Sequence, residues 1–83
     1  MAHRAYTQVD GRPYESPKTH TGRAPFTAAD NGDNFLELAK EFHTKVIAEF
    51  EGRRKLSLER ELPEEKHVIE FVVDGAVVDP SAV

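Results

Sequence analysis

The four histidines are the first residues to test for chemistry, because imidazole serves both as a metal ligand and as a general base. His3, His20, His43 and His67 are scattered along the chain. A metal centre gathers its ligands at short helical or hairpin spacings, as in His-Glu-x-x-His, and no such pairing occurs here. The histidines are expected to face solvent or an interface, with no metal bound. The absence of cysteine excludes disulfides, thiolate nucleophiles and zinc–thiolate sites. Asp30-Asn31-Gly32-Asp33-Asn34 is rich in oxygen ligands, as calcium loops are, but its register is wrong: Gly32 stands at the third position and Phe35 at the sixth, where glycine belongs. A turn leading into a helix cap accounts for the same residues.

No glycine-rich phosphate loop, dinucleotide fingerprint or Gly-x-Ser-x-Gly elbow is present. Ser16, Ser57 and Ser81 lack an activating partner nearby in sequence, and Glu64-Glu65 is an ordinary solvated turn pair. A chain of 83 residues can hardly enclose the dry cavity that catalysis requires. Neither enzymatic activity nor a cofactor is expected. Arg53-Arg54-Lys55 is the one dense basic cluster, and it reads as helix-end and strand solvation. Direct contact with nucleic acid is not expected, because residues 27–83 carry 7 basic and 13 acidic side chains, a net charge of −6 that repels phosphate.

A different pattern occupies the first third of the chain. Arginine and an aromatic residue recur together three times, as Arg4-Ala5-Tyr6, Arg12-Pro13-Tyr14 and Arg23-Ala24-Pro25-Phe26. Tyr and Arg are enriched at binding hot spots, and proline lowers the ordering cost of an extended segment. Arg4, Tyr6, Arg12, Tyr14, Arg23 and Phe26 are therefore the candidate partner-binding residues, with the aromatics as anchors.

The elements that would carry these residues follow from the distribution of apolar side chains. Before Leu36 there is no Leu or Ile, and Val9 is the sole Val, while three of the five prolines and three of the five glycines fall there. Such a segment lacks the apolar surface to offset its ordering entropy. Residues 1–33 are expected to form an extended or disordered N-terminal arm, mildly basic at +2 over residues 1–26, with 4 basic against 2 acidic side chains. Residues 34–83 are expected to form a small α+β body. Phe35, Leu38, Phe42, Val46 and Phe50 step by three or four residues, which predicts a helix over about 34–51. Asn34 or Asp33 would cap it, and Gly52 would end it. Thr27–Asp30 fits a short separate turn. Leu56 and Leu58 alternate with polar residues and predict a strand over about 54–60. His67–Val73 is β-branched and is followed by Asp74-Gly75, the strongest short hairpin signal, which predicts a hairpin over about 67–79. A helix beginning at Pro63 is the competing assignment, opposed by the Val-Ile-Phe-Val-Val content.

The expected fold class is thus α+β: an extended irregular N-terminal arm, and one amphipathic helix packed on a small antiparallel sheet of about three strands with a C-terminal hairpin. One helix covers one face of such a sheet, so the other face calls for a second chain. The expected function is non-enzymatic, a structural or assembly protein that oligomerises or docks on a larger scaffold through its arm. This architecture resembles that of small virion and assembly proteins, and a bacteriophage particle is one setting. The alternative is a small regulator or inhibitor of a larger machine, such as a nucleic-acid enzyme. The expected partner is protein, in a homo-oligomer or an obligate hetero-complex. No run of the roughly 20 apolar residues needed for a membrane span occurs, and nothing in Met1–Tyr6 looks like a secretory signal. The expected place is the cytoplasm or a virion.

Overall fold

The computed structural model describes residues 3–12, 25–62 and 66–83, with the backbone alone for residues 10–12 and 66. Strand β1 (Arg4–Arg12) is followed by β2 (Pro25–Thr27), a short helix α1 (Ala28–Asn31) and a 3-10 turn at Gly32–Asn34. The long helix α2 (Phe35–Glu59) leads to β3 (Lys66–Val73), β4 (Ala76–Val77) and a closing 3-10 turn at Pro80–Ala82. The four strands form one antiparallel sheet in the order β2-β1-β3-β4, with α2 packed on one face. The fold is α+β, with the C-terminal hairpin expected from the sequence.

The hairpin turns as its residues dictate. Asp74 (φ 49°) and Gly75 (φ 83°) both lie in the left-handed region that a type I′ turn requires. Asp74 also ties the turn to the start of β1. Its N–H donates to the Arg4 carbonyl at 2.8 Å. Its carboxylate accepts from the His3 N–H at 2.8 Å and the Arg4 N–H at 3.0 Å. These backbone donors, His3 foremost, hold the Asp74 carboxyl below its ordinary pKa.

Three element bounds differ from the sequence expectation. Residues 4–12 and 25–27, assigned to the arm, are strands, and β1 lies in the middle of the sheet between β2 and β3. Its Ala5, Thr7 and Val9 alternate inward and are buried, opposite Val73, Phe71 and Ile69 of β3. Small side chains suit this position because α2 lies directly over them. The second difference is at Gly52, where α2 continues to Glu59 and takes in the segment expected as a strand over 54–60. Leu, Arg, Lys and Glu all favour helix, and that run contains no β-branched residue. The stop is instead a Schellman-type turn in which Glu61 (φ 55°) takes the left-handed position. The Leu62 N–H bonds to the Ser57 carbonyl (2.9 Å) and the Glu61 N–H to the Leu58 carbonyl (3.3 Å). The third difference is the cap. Asn34 makes no side-chain cap bond, and the helical run starts at Thr27, whose Oγ1 accepts from the Asp30 N–H at 3.2 Å.

The core lies between α2 and the sheet in two clusters. Ala5, Phe35, Ala39, Phe71 and Val73 form one, and Val9, Val46 and Phe50 the other. Phe42 is only partly buried against the second cluster, and the buried stripe of α2 runs through Phe35, Ala39, His43, Val46 and Phe50. Of the apolar residues on the opposite face, Val72 is buried between Tyr6 and Val77 in the register, while Val68 and Val77 are exposed. Among the described residues no helix is long and apolar enough to cross a membrane.

Candidate interaction surface

Of the candidate partner-binding residues, the side chains of Arg4, Tyr6 and Phe26 lie within the described residues. Arg4 has an exposed side chain, and its backbone is held by Asp74. Tyr6 is half-buried on β1, in register with Val72 and Pro25. Arg12 ends β1 opposite Lys66. Phe26 is half-buried against the chain's own core, with its ring centroid 5.9 Å from that of Phe42. Tyr14 and Arg23 lie outside the described residues. Of the Arg-aromatic recurrences, Arg4-Ala5-Tyr6 lies on β1 and Pro25-Phe26 on β2.

His43 also departs from its expected exposed position. It lies on the buried stripe of α2 at 6% exposure, between the two core clusters. Its Nδ1 shares a hydrogen bond with Thr7 Oγ1 at 3.1 Å, and its ring sits 5.4 Å from that of Phe71. Burial penalises the imidazolium and lowers the His43 pKa below 6.5. A hydroxyl beside an imidazole has the makings of a nucleophile–base pair, but Thr7 is fully buried and no substrate reaches it. The pair instead satisfies two polar groups inside the core. Among the described residues no three His, Cys, Asp or Glu side chains come together as a metal site.

The surface that sequence reasoning missed is the far end of α2. His67, second residue of β3, packs its ring 4.3 Å from that of Phe50, the last buried residue of the helix. Beyond Phe50, the nine residues Glu51–Glu59 bury no side chain. At about 1.5 Å per residue they extend roughly 13 Å past the core. Leu56, Leu58 and, just past the helix, Leu62 are 50%, 58% and 53% exposed. At about 100° per residue, Arg53, Ser57 and Arg60 continue the stripe that Phe35, Val46 and Phe50 occupy in the core, while Glu51, Lys55 and Glu59 fall on the other side. The Arg53 guanidinium lies 5.0 Å from the centroid of Phe50 and closes the end of the core. Arg53, Leu56, Ser57, Arg60 and Leu62 line an open hollow of about 190 Å³. The readable signal in sequence was composition, a run of strong helix formers through Glu59, set against the two-residue alternation of Leu56 and Leu58.

No family profile, curated protein or solved structure matches the chain.

Proposed function

We propose that this chain is a non-enzymatic structural or assembly protein that works through protein–protein contact, in the cytoplasm or in a virion. Its docking element in this reading is the far end of α2 rather than the residues before Thr27. The observation that carries the reading is the run from Glu51 to Leu62, which buries no side chain yet presents three leucines at half exposure or more. Helix without tertiary burial is marginal in water, and Gly52 weakens it further. A partner surface that covers these leucines stabilises both the helix end and the complex.

The test is the mass and stoichiometry of the assembly recovered from the native source with full-length protein, beside Leu56→Ser/Leu58→Ser. Both side chains are exposed, so the variant is expected to keep the cooperative thermal transition of the folded core. The expected result is an assembly with many copies of the chain that the double variant fails to join. A compact monomer that associates with nothing contradicts the proposal. Recovery at one or two copies on a large enzyme would assign the chain as a regulator instead.

A further inference from the structure

The two ends of the long helix differ in charge. Around the start of α2, Asp30, Asp33, Glu37 and Glu41 are exposed, and Leu38 is exposed among them. At the far end Arg53, Arg54, Lys55 and Arg60 are exposed with Leu56 and Leu62, and although Glu51, Glu59 and Glu61 are exposed too, the hollow is lined by Arg53 and Arg60 with no acidic side chain. Glu37 and Arg53 are 16 residues apart on α2, which separates the facing edges of the two patches by about 24 Å. The molecule itself measures 45 × 20 × 20 Å. The Debye length at physiological salt is about 8 Å, so each end presents its own local charge to a neighbour. The net charge of −4 therefore does not oppose contact between unlike ends.

From this we infer that copies of the chain associate head to tail, the far end of α2 in one copy seating against the acidic start of α2 in the next. The inference rests on the assembly role proposed above and names its partner as a second copy. The hollow between Arg53 and Arg60 is bordered by Leu56 and Leu62 and calls for an occupant with both carboxylates and apolar surface. The start of α2 offers both, in Asp33 and Glu37 beside Leu38. The start of α2 is packed on the sheet and the far end runs away from it along the helix axis, so the two patches of one copy do not meet. Contact between unlike patches is heterologous and leaves one free patch on each terminal copy, so it produces open chains, or rings where the rotation closes. A contact of two or three helical turns lies at the small, weak end of interface sizes. Association is therefore expected toward high micromolar concentration, weakening roughly tenfold as salt screens the paired charges.

Mixing two singly blocked variants tests this directly. Arg53→Glu/Arg60→Glu blocks the far end, and Asp33→Asn/Glu37→Gln neutralises the start, so the mixture gains no second pair of opposite charges. All four side chains are exposed. Arg53 also lies over Phe50, so Arg60→Glu alone is measured as well. In sedimentation at low salt the wild-type mass is expected to climb with concentration without stopping at two copies. Each blocked variant alone should stay monomeric, and an equimolar mixture should form a dimer and stop, because only one complementary pair of native patches remains. If the blocked variants associate as the wild type does, or if their mixture stays monomeric, the head-to-tail inference is overturned. The assembly role survives that outcome if the wild type still forms multi-copy assemblies that depend on Leu56 and Leu58. It falls with the inference only if those assemblies are absent too.

Discussion

Strand β1 and the far end of α2 invert the usual relation between apolar content and burial. Residues 4–12 contain a single large aliphatic side chain, Val9, yet β1 forms the middle of the sheet. Residues 51–62 contain three leucines and bury none of them. What separates the two is pattern and position rather than amount. In β1 the small residues Ala5, Thr7 and Val9 fall on one face at a spacing of two and fit closely beneath the helix. In the helix end, Leu56 and Leu58 lie to either side of the core-facing stripe, which is occupied there by Arg53, Ser57 and Arg60. Burial follows the stripe a side chain belongs to.

The most disruptive way to break this comparison is to remove β1. A chain beginning at Thr27 loses the strand that joins β2 to β3, and it is expected not to fold, with loss of the cooperative thermal transition in circular dichroism. A folded, cooperative fragment would show that the first strand is dispensable. Next in size is the contrast between Phe71→Ala and Leu58→Ala. The first removes a side chain at 1% exposure and is expected to cost about 3–5 kcal/mol in denaturant unfolding. The second touches a half-exposed side chain and should change monomer stability by less than about 0.5 kcal/mol. Equal losses at the two sites would mean that the helix end is packed in the monomer.

Thr7→Val sharpens the comparison inside the core. It keeps the shape of the side chain but takes away the hydroxyl that meets His43 Nδ1, and is expected to cost about 1–3 kcal/mol by leaving a buried imidazole nitrogen unpaired. His43 also gives the fold a pH dependence of definite sign. Its folded pKa is lowered, so the unfolded chain binds the proton more readily. The contribution of neutral His43 is complete above pH 6.5 and is lost as the pH falls below that value toward the folded pKa. Denaturant midpoints measured from neutral to mildly acidic pH should fall for the wild type and fall less for His43→Leu. A substitution at Gly52 is expected to have the opposite sign. A Cβ added at Gly52 meets no atom within 4 Å, so Gly52→Ala should stabilise the monomer by up to about 1 kcal/mol through helix propensity alone.

The sequence made legible the parts that depend on strong local signals. The 3.6-residue stripe from Phe35 to Phe50 located the helix, and Asp74-Gly75 located a turn whose positive φ angles those residues favour. It was less informative where tertiary placement overrides composition. The burial of Ala5, Thr7 and Val9 comes from a long-range pairing with Phe71 and its neighbours on β3, and no local property of residues 4–12 signals it. At Gly52 a local rule misled: glycine often ends a helix, but the helix-forming run beyond it carried the helix on to a Schellman turn at Glu61. The candidate binding residues were chosen by residue type, and two of them, Tyr6 and Phe26, belong partly to the chain's own packing. The basic end of α2 was visible as Arg53-Arg54-Lys55, but reading it as a surface required knowing that the core stops at Phe50.

Amide hydrogen exchange across the full chain tests most directly whether β1 belongs to the core while the far end of α2 stands free until it is covered. At low concentration, the bonded amides of the β1–β3 ladder should exchange as slowly as those of Ala39–Phe50. The amides of Arg53–Glu59 should exchange much faster, as in a helix end without tertiary support. Under associating conditions, with high protein concentration and low salt, protection should rise over Arg53–Leu62 and at the start of α2 in the wild type, and should not rise in Arg53→Glu/Arg60→Glu. Slow exchange throughout Arg53–Glu59 in the monomer, or protection there that association leaves unchanged, would contradict the account.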